Sequence, residues 1–264
     1  MIMKDISRYS KRVQKMYKRY WGKLIFRCVL FGVILLCYVL RPEDFEVLHG
    51  LGFFHQFSSI HIVWLLWLWY MVEKMLPFPD LKPKGSMKYL RSCYQEAPQK
   101  DDKAWRDILK EQIKTDNKRA GLVLVCWGIG IMILYLLLRE EWIQAAHLFL
   151  LSCLFYIGDL VCILIWCPFR SIFMKNKCCT QCRIYNWDTI FLIVPLLLVP
   201  GFYSHSLGVL ALVNVGIWEV TRIIHPERYY AISNAMLQCR NCKGELGCVN
   251  LRLLDVKITR RDRT

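Results

Sequence analysis

The sequence lacks the catalytic motifs of two large classes of hydrolase. It contains no His-Glu-x-x-His motif, in which two histidines on one helix face bind a catalytic zinc ion. It also offers no arrangement of Ser, His and Asp typical of a serine hydrolase. A hydrolytic activity is therefore not expected.

Acidic residues are few, and no basic domain accompanies the positive charge. The 264-residue chain has 36 Lys and Arg against 21 Asp and Glu, which gives a formal net charge of +15. Such a charge suits nucleic acid or an anionic lipid surface. Because no basic domain or motif with interleaved aromatic residues is present, a nucleic-acid partner is not expected. An internal repeat is also missing, which argues against transporters built from inverted repeats.

The chain has an excess of apolar sequence. Hydrophobic residues make up 55% of it and the mean hydropathy is +0.28, whereas a soluble domain has about 45–50% apolar residues. A soluble chain of this length could not surround six long apolar helices. We therefore expect an all-α, polytopic membrane protein with six spans. The predicted spans are Leu24–Leu40, Ile60–Leu76, Ala120–Leu138, Ile143–Cys167, Trp187–Tyr203 and Leu207–Ile224.

Basic residues predict the orientation of these spans. Nearly all lie in segments 1–23, 77–119, 168–186 and 223–264, and the alternate segments hold only Arg41 and Arg139. By the positive-inside rule both termini are cytoplasmic, the number of spans is even, and the cytoplasmic face contacts anionic lipids. This topology fits the plasma (inner) membrane of a bacterium.

The domain organisation follows from the same pattern. No small-residue cleavage site follows the first apolar run, so a cleavable signal peptide is not expected. Residues 1–23 are predicted to form a basic, amphipathic helix at the membrane surface. Residues 24–225 would form the six-helix bundle, and residues 226–264 a basic cytoplasmic tail that contains cysteines.

Six cysteines form two close groups on the predicted cytoplasmic side, where thiols stay reduced. Each group contains a Cys-x-x-Cys pair, and two such pairs can complete a tetrahedral thiolate site. We predict a metal site that joins the loop between spans four and five to the tail. The preferred ligands are Cys179, Cys182, Cys239 and Cys242, with Cys178 and Cys248 as substitutes or additional ligands.

Two resemblances bear on the metal. Cys162 and Cys167-Pro168 resemble the Cys-Pro ending of membrane ferredoxin-like proteins of nitrate and nitrous-oxide reduction, which implies an iron–sulfur cluster. Here four residues separate the cysteines rather than three, and no Cys-x-x-Cys-x-x-Cys run is present. Segments 179–188, 225–230 and 239–242 resemble uncharacterised small polytopic bacterial membrane proteins, which implies no function. Zinc is preferred to an iron–sulfur cluster.

Ionisable residues within the apolar runs predict a second site. Charged groups are costly in hydrocarbon and need partners or water. Glu219 and Arg222 are spaced to pair on one helix face. The alternative is a shared intramembrane pocket formed by Asp159, Asp188, Asn214, Glu219 and Arg222.

Two functions remain open at this point. One is a redox module, in which the thiolate metal site passes electrons from a cytosolic redox partner to a membrane acceptor such as quinone. The other is a zinc-stapled transporter, channel or scaffold that uses the polar pocket. Haem is not expected, because His61 and His147 are the only candidate pair and an aromatic belt accounts for the tryptophans beside His61.

Overall fold

The computed structural model describes residues 11–55, 57–76, 86–98, 102–176 and 179–238. Over these ranges the chain is all-helical and contains no β-strand. The six main helices are α1 (Lys11–Leu40), α2 (Ile60–Met75), α3 (Asp102–Arg139), α4 (Ala145–Leu164), α5 (Asp188–Leu197) and α6 (Phe202–Ile224). Short helical turns lie at Pro42–Leu48, Gly52–His55, Arg91–Cys93, Phe169–Phe173, Cys179–Gln181, Pro226–Arg228 and Ala235–Leu237.

Four helices are long and apolar enough to cross a membrane, which makes this an integral membrane protein. They are α1, α3, α4 and α6, with candidate spans Tyr17–Leu40, Ala104–Arg139, Ala145–Leu164 and Phe202–Ile224. Helices α2 and α5 have 16 and 10 residues, fewer than the roughly 20 that a bilayer core requires. The structure therefore supports four spans directly, and six crossings would need these two shorter helices as well.

Proline and glycine explain why α5 is short. Pro195 lies inside the helix and has no backbone N–H to donate, and α5 ends two residues later at Leu197. Pro200 and Gly201 then separate it from α6, which begins at Phe202 rather than at the predicted Leu207. A Cβ on Gly201 would lie 2.3 Å from the Leu48 carbonyl oxygen, so only glycine fits there.

The predicted boundary at residue 23 does not coincide with a helix end. Helix α1 runs without a break from Lys11 to Leu40. Residues 11–23 contain no Pro and only one Gly, Gly22, so nothing in them interrupts the helix. The same holds for α3, whose 38 residues join the polar stretch after Asp102 to the apolar run. At about 1.5 Å per residue, α3 is far longer than a bilayer core is thick.

The core of the bundle lies between α2, α4, α5 and α6. Trp67, Phe149 and Tyr203 are fully buried at its centre, with ring centroids 5.4–6.4 Å apart. Helix α3 packs against the bundle along one face, where Trp127 contacts Phe191, and exposes apolar side chains such as Val125 and Met132 on the other. In a membrane protein these side chains face lipid.

Two loops cover the end of the bundle at which α1 begins, which we call the basic end. Segments 86–98 and 226–238 join through the bonds Ala97 N to Ser233 O, at 3.0 Å, and Ala235 N to Gln95 O, at 2.8 Å. The buried Asn234 side chain donates to the Cys93 carbonyl at 3.2 Å. The first part of the predicted tail is therefore packed against the bundle.

Candidate functional site

Five ionisable side chains from four helices meet between α1, α2, α4 and α5, and we call them the Tyr70 cluster. Tyr70 and Lys74 are four residues apart on α2 and so share one helix face. Arg27 comes from α1, Asp159 from the last third of α4, and Asp188 is the first residue of α5. The cluster thus draws together groups that are far apart in the chain.

A single phenol lies between the two carboxyl groups. The Tyr70 hydroxyl is 2.5 Å from Asp188 Oδ2 and 3.0 Å from Asp159 Oδ2. A phenol carries one hydrogen, so it can donate to only one of these oxygens at a time. Among the described residues, the second oxygen of Asp188 has no hydrogen-bond partner.

Each carboxylate also has a cationic partner. Arg27 Nη1 is 3.4 Å from Asp159 Oδ2, donates to the Tyr156 carbonyl, and places its guanidinium 3.6 Å from the Tyr156 ring centroid. Lys74 Nζ contacts Asp188 Oδ2. The two cations and two carboxylates balance, which reduces the cost of placing these charges inside the bundle.

A cavity of about 270 Å³, which we call the Tyr70 cavity, adjoins the cluster. Its walls include Tyr20 and Phe26 of α1, Trp69 of α2 and Ile163 of α4. At its rim an ion pair between Lys23 and Glu73 links α1 to α2, with Nζ 3.8 Å from the carboxylate. The cluster is thus accessible from the side of the bundle near its basic end.

A second set of charges, which we call the Glu219 cluster, lies between α6 and the turn before α5. Glu219 Oε1 accepts from Arg183 Nη1 and Trp187 Nε1, each at 2.8 Å. Its Oε2 accepts from Arg183 Nη2 at 2.7 Å and Arg222 Nε at 3.4 Å. Burial lowers the pKa of Arg183, and the Glu219 carboxylate opposes this shift.

The pocket predicted from the sequence is therefore divided. Asp159 and Asp188 share the Tyr70 cluster, whereas Glu219 and Arg222 form the expected pair on one face of α6 and belong to the other cluster. Asn214 is separate from both. Its side chain donates to the Met71 and Leu210 carbonyls at 3.2 and 3.1 Å, which ties α6 to α2.

Sequence reasoning missed Arg27, Tyr70, Lys74 and Arg183 as site residues. The spacing of Tyr70 and Lys74 on one face of α2 was a usable signal, since Lys74 is a cation within an apolar run. The sequence pattern gave no indication that the short α2 would place that face against Asp159 and Asp188.

Two predicted metal ligands lie in one turn near the basic end. The Cys182 amide donates to the Cys179 carbonyl at 3.0 Å, so the two cysteines flank one 3₁₀-type turn. Arg170 Nη1 lies 3.7 Å from Cys179 Sγ. Burial raises the pKa of the Cys182 thiol to about 11.

The other predicted ligands, Cys178, Cys239, Cys242 and Cys248, lie outside the described residues. Within the described part of the chain, no group of three or more His, Cys, Asp or Glu side chains is arranged to hold a metal ion. Cys179 and Cys182 alone could supply at most half of a tetrahedral thiolate site.

Cys179 and Cys182 line a second cavity, of about 420 Å³, together with Cys162 and Cys167. We call it the aromatic cavity after Trp127, Phe155, Trp166, Phe169 and Phe191 in its walls. It meets the Tyr70 cavity at Asp159 and Tyr185, which line both. Burial raises the pKa of Tyr185, so this phenol stays neutral between the two cavities.

The histidines considered for haem have hydrogen-bond partners within the fold. His61 Nε2 lies 2.9 Å from the Phe53 carbonyl, and its Nδ1 accepts from the Ser58 amide at 3.1 Å. His147 Nε2 lies 3.1 Å from the Tyr38 hydroxyl. These contacts give both rings a structural role near the end of the bundle opposite the basic end.

Comparison of the chain with protein-family models, curated proteins and solved structures finds no match.

Proposed function

We propose that this integral membrane protein carries protons through the Tyr70 cluster. The observation that supports this function is the position of one phenol between two carboxyl groups, Asp159 and Asp188. The phenol oxygen can donate its hydrogen to one carboxylate and accept from the other carboxyl when that group is protonated. A proton can therefore pass between the two aspartates without a large movement of either side chain.

The cationic partners make the cluster responsive to a single proton. With both carboxylates ionised, Arg27 and Lys74 balance them and the cluster is neutral. Protonation of Asp188 leaves Lys74 without its counter-ion inside the bundle, which is costly in a low-dielectric environment. The added proton thus favours rearrangement of α2 against α5.

The adjoining cavity supplies access. It opens beside the Lys23–Glu73 ion pair, so protons can enter from the basic end of the bundle. Six crossings with both termini cytoplasmic, in the inner membrane of a bacterium with anionic lipid at the basic face, belong to this proposal. In that topology α2 and α5 cross together with the four longer helices.

Proton flux into liposomes tests this function. The reconstituted protein is expected to acidify vesicles loaded with a pH-sensitive dye when a potassium diffusion potential is imposed. Asp188→Asn should lower the flux at least tenfold, because the amide cannot ionise. Asp107→Asn, at an exposed position of α3, is the matched control and should leave the flux unchanged. Equal flux in the Asp188→Asn protein would remove the cluster from the function.

We propose as a second candidate function a thiolate metal site, either as a structural link or as a redox module with a cytosolic partner. The observation that favours it is the shared turn of Cys179 and Cys182. We propose these two with Cys239 and Cys242 as ligands, and Cys178 and Cys248 as substitutes. Bound zinc would supply a structural link, and an iron–sulfur cluster would supply an electron carrier.

Metal analysis and a visible spectrum of the purified protein test this candidate. Stoichiometric zinc without colour supports the structural link, and absorption typical of iron–sulfur supports the redox module. Cys182→Ser should lower metal content and thermal stability together, because a metal that joins two segments contributes folding energy. Cys126→Ser, an exposed cysteine of α3, is the control. A wild-type protein that contains neither metal would contradict both forms of the site.

A further inference from the structure

Two cysteines that the proposed functions do not use meet at the end of α4. The Cys162 and Cys167 side chains lie close enough to affect each other's ionisation, and the Arg170 amide donates to the Cys167 sulfur at 3.4 Å. Both cysteines are partly exposed and line the aromatic cavity. They are therefore a pair of neighbouring thiols in the wall of one cavity, rather than two separate core residues.

The way the chain turns at the end of α4 explains why Cys162 and Cys167 are neighbours. In a continuous helix, positions five apart point in directions about 140° apart, so Cys162 and Cys167 would not meet. Here the Trp166 amide bonds to the Val161 carbonyl at 3.1 Å, a wider turn than a regular α-helix makes, and Pro168 cannot extend the helix. The chain therefore folds back and returns Cys167 to the side of Cys162.

The cavity beside the pair suits a flat, apolar ring with polar oxygens. Its volume of about 420 Å³ lies within the range of small-molecule sites. Trp127, Phe155 and Phe191 supply ring faces and edges, with Trp127 centroids 5.0 and 4.6 Å from those of Phe155 and Phe191. Arg170, only 8% exposed, adds a cation at the wall, where an oxygen that gains negative charge would be stabilised.

We infer that Cys162 and Cys167 form a redox-active dithiol that reduces an isoprenoid quinone bound in the aromatic cavity. The two S–H bonds break and one S–S bond forms. The two electrons and two protons pass to the quinone, whose two carbonyl groups become hydroxyl groups. A cytosolic protein dithiol then reduces the disulfide by thiol–disulfide exchange and is itself oxidised.

The exposure of the aromatic cavity and its position in the bundle agree with a quinone substrate. Trp166 is about half exposed in the wall of the cavity, two residues beyond the end of the membrane-spanning helix α4. A quinone ring can thus enter from the lipid while its isoprenoid tail stays in the bilayer. The thiol pair lies at the basic end, where the proposed topology places a cytosolic reductant within reach.

Quinone reduction by the full-length protein in liposomes tests this inference. The protein is reduced with a small thiol, freed of it, and mixed with decylubiquinone, whose loss is followed by absorbance. One quinone reduced per chain is expected, together with a Cys162–Cys167 disulfide by differential alkylation and mass spectrometry. Cys162→Ser and Cys167→Ser should each slow the reaction at least tenfold, whereas Cys28→Ser and Cys126→Ser, at exposed positions of the spans, should not.

A further variant separates binding from the thiol chemistry. Trp127→Leu should raise the half-saturating quinone concentration severalfold, while the chemical oxidant diamide still forms the Cys162–Cys167 disulfide in it. A full rate in Cys162→Ser, or a disulfide between Cys179 and Cys182 instead, would overturn the inference. So would formation of the Cys162–Cys167 disulfide by diamide but not by decylubiquinone. Proton flux is expected to be unchanged in Cys162→Ser, so this inference and the proposed function can fail separately.

Discussion

The Tyr70 and Glu219 clusters both place charged side chains inside the bundle, but they differ in how completely the carboxylate oxygens are hydrogen-bonded. Every acceptor position that Glu219 offers is used by Arg183, Trp187 or Arg222. In the Tyr70 cluster one phenol serves two carboxyl groups, and within the described chain one Asp188 oxygen stays unpartnered. A saturated cluster holds helices in place, whereas an unsaturated one beside a cavity can change its protonation state.

The largest effect is expected from the saturated cluster. Glu219→Gln would leave the buried Arg183 and Arg222 without a counter-ion, and breaking a buried pair in this way costs about 3–5 kcal/mol. The free energy of unfolding in detergent measures the change. Proton flux per folded molecule should stay the same, and a loss of flux at unchanged stability would reverse the roles assigned to the two clusters.

Tyr70→Phe gives the converse test. The change keeps the ring that packs near Arg27 and Lys74 and removes the hydroxyl between the carboxyl groups. Proton flux should fall about tenfold, equivalent to about 1.4 kcal/mol in the barrier, with a destabilisation of about 1–3 kcal/mol. Tyr89→Phe, which removes a hydroxyl bonded to the Lys74 and Met75 carbonyls, is the control. Normal flux in Tyr70→Phe would show that the phenol is not on the proton route.

Cys162 and Cys167, which also lie beside a cavity, allow a similar test of a group that can change its protonation state. The hydrogen bond from Cys162, helped by the Arg170 amide, lowers the pKa of the Cys167 thiol from 9.0 to about 7. Because the thiolate is the reactive form, alkylation of Cys167 should rise with pH and reach half its maximum near pH 7. In Cys162→Ala, which removes this donor, the midpoint should move toward higher pH. Mass spectrometry of pulse-alkylated peptides measures both curves, and an identical midpoint in the two proteins would exclude the thiol contact as the cause.

The lowered pKa of the Cys167 thiol also makes the stability of the fold depend on pH. A thiol whose folded pKa lies below its unfolded value stabilises the fold above the unfolded pKa, and this contribution is lost as the pH falls through about 7. Unfolding of the wild-type protein at several pH values between about 6 and 9, compared with Cys167→Ser, isolates this contribution. The wild type should gain relative stability toward the alkaline end.

The smallest effect is expected at the rim of the Tyr70 cavity. Lys23 and Glu73 are 3.8 Å apart and Lys23 is 42% exposed, so the ion pair is partly screened. Lys23→Gln should change the free energy of unfolding by less than about 1 kcal/mol. A much larger loss of stability would indicate that this pair closes the cavity rather than bordering it.

Part of this molecule was predictable from residue pattern. Each of the six apolar runs predicted one of the main helices, although α5 ends at Leu197 rather than at Tyr203 and α1 and α3 extend beyond their apolar runs. The spacing of Glu219 and Arg222 predicted their ion pair. These features depend on neighbours within one or two helical turns, which the order of residues specifies directly.

The long-range partners were not predictable in this way. Asp159 and Asp188 were recognised as buried charges, but Arg27 and Lys74 as their partners, and Tyr70 as the link between them, depend on how α1, α2, α4 and α5 pack. The assignment of Asn214 to the same pocket failed for that reason, because rotation of α6 directs its side chain to the Met71 carbonyl.

The residue order was sufficient to specify membrane insertion, helix positions and the short thiol turn at Cys179 and Cys182, because each follows from local hydropathy, backbone chemistry or spacing. Which buried charges meet, and which cavity lies beside them, followed from helix packing alone. The physical reason is that side chains on separate helices come within about 4 Å only through the relative rotation and depth of those helices, and no local pattern encodes either.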